Sequence, residues 1–196
     1  PVKTIADFKG RKIGFSVSGF EEAVLGAMLE SAGLSLKDVT LVNVNFALTT
    51  ALMSRQVDGV IGAFRNFELN DLELNKAKGR IWLVEKHGVP TYDELVILAK
   101  RESVDVARTK KLLSALAEAT AWLTANPAEA WAIFSKYTKD LDNDLNRMAW
   151  KDTVPLLAAD PSALDRARYA TFADFLVKRG LIKHAPPLES YVHEIK

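Results

Sequence analysis

In the first ninety residues, short apolar runs alternate with stretches whose apolar positions recur at helical spacing. Lys12–Val17 (K-I-G-F-S-V) predicts a strand, and Ser18-Gly19 turns into a helix from about Phe20 to Ala32. Glu21 and Glu22 stand in its first turn, where carboxylates suit the positive end of a helix, and Gly33-Leu34 suits its close. Val39–Val44 predicts a second strand, Ala47–Arg55 a short helix, and Val57–Ala63 a third strand, nearly all apolar as in a sheet covered on both faces. Asn66–Lys76 predicts a helix and Arg80–Lys86 a fourth strand. Strand-helix units of this length predict an α/β fold with a mostly parallel sheet and right-handed crossovers.

Gly88-Val89-Pro90 interrupts the alternation. Glu94–Lys100 (E-L-V-I-L-A-K) predicts one further strand, and the rest predicts helices. Leu112, Leu116, Ala119 and Leu123 mark Val104–Ala125 as amphipathic. Asn126-Pro127-Ala128-Glu129 is a helix start with cap, N1 proline and N3 acid, and Asp160-Pro161 predicts another that ends at Gly180. The chain therefore divides into 1–87, a sheet-bearing lobe; 88–100, a crossover; and 101–196, a helical segment. The long helices have apolar faces but few strands to cover. With Pro1 opening the chain and Ile13 already in a strand, the sequence reads as a piece of a two-lobed protein. Its first lobe is expected to be largely missing, and the helices to expose an apolar face that pairing of chains could cover.

Composition narrows the classes. The 196 residues carry 26 basic and 25 acidic side chains, a net +1 without a basic tract, which argues against nucleic acid as a partner. Cysteine is absent, which removes disulfides, thiolate metal sites and a cysteine nucleophile. The three histidines, His87, His184 and His193, are too scattered for a metal site. No nucleotide-binding glycine loop or nucleophile elbow is present, so neither a catalytic residue nor a cofactor is assigned.

Two strand ends carry the candidate chemistry. Ser18, Gly19 and Phe20 follow the first strand and open a helix, where backbone N–H groups point outward. Glu21 and Glu22 would repel an anion there, which favours a neutral or weakly cationic polar ligand. Ser18 as a plain N-cap is the competing role. Phe64, Asn66 and Glu68 emerge at the carboxyl end of the third strand, the end at which open α/β sheets bind ligands. There Asn66 as a cap and Glu68 as a first-turn acid are the local alternatives. Tyr92 and Glu94 follow the proline turn, where a ring beside carboxylates could stack on a flat ligand and accept its N–H groups, or form an ordinary acidic turn.

At these residues the chain resembles a known family. Ile5–Gly14 (I-A-D-F-K-G-R-K-I-G) is similar to the segment that opens the second lobe of type II periplasmic binding proteins, and Leu52–Val60 (L-M-S-R-Q-V-D-G-V) to a later segment of the same lobe. Gly62–Glu68 and Gly88–Leu95 are similar to the branch that binds pyrimidine precursors of thiamine. The resemblance implies two α/β lobes with ligand between them, of which this chain supplies a parallel-sheet lobe and the C-terminal helices. It points to Tyr92 and Glu94 as ligand contacts through the Y-x-E stretch. It places Arg65 where the family carries Trp, a departure that leaves the ligand open.

The function implied is the extracytoplasmic substrate-binding component of an ABC importer, periplasmic or lipid-anchored. It would bind a small polar heterocycle such as a thiamine pyrimidine precursor and partner a permease. Lobe closure would act through a flexing Gly88–Pro90 crossover. The alternatives are an enzyme of thiamine-pyrimidine synthesis, a ligand-sensing domain of a regulator, and a binder of a sulfonate or riboflavin-type solute. The enzymes of that superfamily use a cysteine-rich motif that this chain lacks.

Overall fold

The computed structural model describes residues 2–195, so that Pro1 and Lys196, the outer ends of the predicted divisions, lie outside it. The chain forms two compact units. One holds the residues up to Thr91 together with Thr171–Ala185, and the other holds Tyr92–Ala170 and the residues from Pro186 onward.

The first unit is an α/β layer structure. Among the described residues three strands, β1 (Lys12–Phe15), β2 (Thr40–Asn43) and β3 (Gly59–Val60), form a parallel sheet in the order β2-β1-β3. Lys12 pairs with Thr40, and Ile13 with both Leu41 and Gly59. The connections are α1 (Phe20–Glu30) and α2 (Leu48–Met53), and α3 (Glu68–Leu74) follows β3. Because the strands are parallel, all three carboxyl ends lie along one edge of the sheet.

Burial follows the sequence pattern. Ile13 on β1 and Leu29 on α1 are the largest fully buried side chains among the described residues, and Leu48 and Ala51 of α2 cluster with Val44 and Val57. The end of α1 is closed as expected, with the Leu34 N–H donating to the Leu29 carbonyl at 2.9 Å. The fourth predicted strand, Arg80–Lys86, is not a strand. Trp82 instead sets its ring edge-on to Phe8 at 5.5 Å, Arg80 donates to the Lys3 carbonyl at 3.1 Å, and Val84–Lys86 closes into a 3-10 turn. These side-chain anchors take the place of a backbone ladder. The segment predicted to flex is also anchored: Val89 is buried, and Gly88, at φ +88°, lies so close to α1 that a Cβ would stand 3.1 Å from the Ala27 carbonyl oxygen.

Arg179 ties the C-terminal residues of this unit to α1. Its guanidinium donates to both carboxylate oxygens of Glu30, at 2.7 and 2.9 Å, and this pairing holds the Glu30 carboxyl below its ordinary range. A lowered folded-state value contributes stability above the unfolded-state value and loses it as pH falls through the folded one. Arg179→Gln is therefore expected to lower stability slightly near neutral pH and to flatten its decline in the acid range below pH 4.5, as measured by urea denaturation at a series of pH values. Glu30 is largely solvent-exposed, so the effect is below about 1 kcal/mol.

The second unit is helical: α4 (Val106–Ala125), α5 (Pro127–Tyr137), α6 (Asp144–Thr153) and the start of α7 (Arg166–Lys178), whose later turns belong to the first unit. Pro127 opens α5 at the predicted position. Trp131, Phe134 and Trp150 pack α5 on α6, with ring centroids 5.0–5.7 Å apart and Arg147 over Trp131 at 4.7 Å. The helix predicted from Asp160 starts later. Asp160 accepts from the N–H and hydroxyl of Ser162, at 2.8 and 2.6 Å, which turns the chain before Asp165 accepts from the Arg168 N–H at 3.0 Å.

Glu94–Lys100 is not a strand either. An apolar run makes a ladder only beside a partner strand, and the described residues offer it none; Leu95 and Leu98 are each 87% exposed. No residue of α4 is buried, and Leu112 and Leu116 lie open to solvent. No helix among the described residues is long and apolar enough to cross a membrane.

Candidate functional site

The carboxyl edge of the sheet gathers three turns. The first, after β1, contains Ser16, Val17, Ser18 and Gly19. The second, after β2, contains Asn45 and Phe46. The third, after β3, contains Gly62, Phe64 and Asn66. Backbone hydrogen bonds carry the ladder into them, Val44 N–H to Phe15 and Ile61 N–H to Gly14, both at 2.9 Å.

Glu21 organises the first turn. It is only 8% exposed, and its Oε2 accepts from the Ser16 N–H at 2.7 Å and the Val17 N–H at 3.2 Å. The expectation that Glu21 would face a ligand and repel anions is thus corrected: the carboxylate turns inward onto backbone donors. Ser18 is not the N-cap of α1. That position is Gly19, at φ +84°, without a side-chain cap, and the Ser18 hydroxyl donates to Glu22 at 3.2 Å. Phe20 packs its ring against Phe172 at 6.4 Å, and Phe172 stacks on Phe175.

The second turn follows β2 and is held by its own asparagines and by Ser16. Asn43 Oδ1 accepts from the Asn45 N–H at 2.9 Å, a turn that tips the backbone left-handed, with Asn45 at φ +47° and Phe46 at φ +66°. Ser16 Oγ accepts from the Phe46 N–H at 3.0 Å. Left-handed geometry is costly for an aromatic residue, and Phe46 is 73% exposed. The signal in the sequence was the Asn-x-Asn spacing that closes β2.

In the third turn Gly62 takes φ +89° and lies against Glu21, such that a Cβ there would stand 2.3 Å from Glu21 Oε1. Phe64 is exposed, and its N–H donates to Glu68 Oε2 at 2.7 Å. Glu68 thus has the local role of a first-turn acid. Asn66 is not the cap of α3; Phe67 holds that place, and the Asn66 carbonyl accepts from Asn70 at 3.1 Å. Arg65 donates to both oxygens of Glu85, at 3.0 and 3.1 Å. Burial pulls the Glu85 carboxyl up, but its own backbone N–H and Arg65 outweigh that and hold it below the ordinary range. The Arg65 charge is thereby neutralised within the unit.

Tyr92 and Glu94 belong to the second unit, Tyr92 half-buried and Glu94 exposed. Between them Asp93 is engaged by Arg168 at 2.5 Å. Burial first, and then the Asp93 carboxylate, push the Tyr169 hydroxyl above its usual range.

Known proteins share this chain's sequence and fold. A protein of Haemophilus influenzae whose name assigns it provisionally to thiamine biosynthesis is 50% identical over 196 residues, all of this chain and 62% of its own length. The formylaminopyrimidine-binding protein of Halalkalibacterium halodurans is 30% identical over 129 residues, 64% of this chain and 38% of its own. The chain thus spans about three fifths or less of these relatives. Among solved structures, the periplasmic aliphatic sulphonate binding protein SsuA of Escherichia coli superposes with a TM-score of 0.72 at 16% identity, over 100% of this chain and 63% of that one. The alkanesulfonate-binding protein of Xanthomonas axonopodis pv. citri, bound to MOPS, gives 0.61 at 20% identity, over 95% and 62%. These two likenesses establish the fold, that of part of a type II periplasmic binding protein. The NMT1/THI5-like family pattern matches residues 1–130, and the chain belongs to that family.

Proposed function

We propose that this chain is the ligand-binding portion of an extracytoplasmic solute-binding protein that captures a flat, polar pyrimidine and delivers it to an ABC permease. The observation that carries this reading is Phe46: an exposed ring, held left-handed at the carboxyl edge of a parallel sheet, with exposed Phe64 on the same edge. Aromatic faces suit a flat heterocycle. The local charge is compatible, because Glu21 is spent on backbone donors and Arg65 on Glu85. The family relationship, and a relative named for binding formylaminopyrimidine, point to the same class. Phe46 and Phe64 would stack on the ligand, and Asn66 would select its hydrogen-bonding pattern. A synthetic enzyme is the weaker alternative, since nothing on this edge is arranged as an acid–base pair.

Calorimetric titration of the protein with formylaminopyrimidine, aminopyrimidines, riboflavin and alkanesulfonates tests the assignment. Binding of the pyrimidines is expected, with Phe46→Ala weakening it by about tenfold, the upper end of an aromatic stacking contribution of about 0.5–1.5 kcal/mol. Heat from the sulfonates alone would refute it.

A further inference from the structure

Among the described residues Glu21 is the one buried carboxylate at the edge where the ligand is proposed to sit, and it faces all three turns directly or through one neighbour. Its Oε2 receives the Ser16 and Val17 N–H groups of the first turn. Ser16, fixed by that contact, accepts the Phe46 N–H of the second turn through its hydroxyl at 3.0 Å. The other carboxylate oxygen lies in the space left by the missing Cβ of Gly62 in the third turn, two residues before Phe64. A charged group so placed would be costly without donors, and the two backbone N–H groups supply them.

Resting on the function proposed above, we propose that Glu21 is the positioning residue of the binding edge. It does not touch the ligand; it fixes the three turns relative to one another so that Phe46 and Phe64 are presented in a set geometry. Pre-organisation of this kind raises affinity by reducing what must be ordered on binding. Loss of Glu21 should therefore loosen the turns at the carboxyl ends of the strands while leaving the amino ends of the same strands intact.

Residue-resolved amide exchange on Glu21→Ala, Glu21→Gln and the wild-type protein, combined with titration by formylaminopyrimidine, tests this. The control amides are Thr40, which donates to Arg11, and Asp58, which donates to Lys12, both at 2.8 Å and both at the opposite end of the sheet. In Glu21→Ala the Ser16, Val17 and Phe46 amides are expected to exchange at least about tenfold faster, with Thr40 and Asp58 unchanged, and pyrimidine affinity to fall by about tenfold. Glu21→Gln keeps one carbonyl acceptor and is expected to restore part of both. Formate added to Glu21→Ala should slow exchange at Ser16 and Val17 where chloride at equal ionic strength does not. Equal acceleration at all five amides, or unchanged exchange at Phe46, would overturn the proposal. If Glu21→Ala does not fold, the same comparison on Glu21→Gln decides it. If the wild-type protein binds no pyrimidine, the functional reading fails while the exchange data still decide the role of Glu21.

Discussion

Replacing Leu29 with alanine is expected to destabilise the first unit by about 2–5 kcal/mol, the range for removing a fully buried leucine. Leu29 has no exposure at all, and with Ile13 it is one of the two largest side chains sealed in this unit. It also sits where α1 is closed by the Leu34 N–H, so a cavity there also undermines the end of the helix. Against a total of about 5–15 kcal/mol for a typical domain, the loss is a large fraction. Urea denaturation followed by segment-resolved hydrogen exchange would show a lower midpoint for α1 and β1. The aromatic cluster of Trp131, Phe134 and Trp150 should hold its midpoint, because its ring contacts are made within the second unit and Leu29 belongs to the first. A change of less than about 1 kcal/mol would mean that α1 can collapse around the missing atoms.

The sequence carried the α/β units well where one element could be inferred from its own residues. K-I-G-F, T-L-V-N and the G-V of Gly59–Val60 became paired strands, and Asn126-Pro127 opened a helix. It misled where an apolar run needed a partner. Leu95–Leu98 has strand composition but no ladder among the described residues, and Trp82 folded its segment onto Phe8. The candidate site was half legible. Strand-end position is a topological property, so Phe64 and the turn around Ser18 could be found from the pattern of runs. Two features could not be read that way. The inward turn of Glu21 depends on Gly62, which is 41 residues away in sequence and contiguous only once β3 lies beside β1. The left-handed Phe46 depends on Ser16, 30 residues upstream. Such contacts are fixed by register between strands, and no local periodicity reports it.

That register makes Gly62 the most sensitive backbone position of the edge. Gly62→Ala is expected to cost about 2–4 kcal/mol, from two sources that can be separated. An L-residue at φ +89° is strained by about 1–3 kcal/mol wherever it stands. The new Cβ would also stand 2.3 Å from Glu21 Oε1 and 2.7 Å from its carboxyl carbon, so the carboxylate must leave the Ser16 and Val17 N–H groups or the β3 turn must move away. The flexible Glu side chain is the softer partner, but its displacement strands two backbone donors that it had satisfied. In the double variant with Glu21→Ala the collision no longer exists and only the φ strain remains. The two changes should therefore be less than additive, with a coupling of about 1 kcal/mol or more, as neighbours sharing one contact show. Chemical denaturation of the four members of the cycle measures it. Strict additivity would show that Gly62→Ala costs only the φ strain of the alanine and that the carboxylate does not rest against that position.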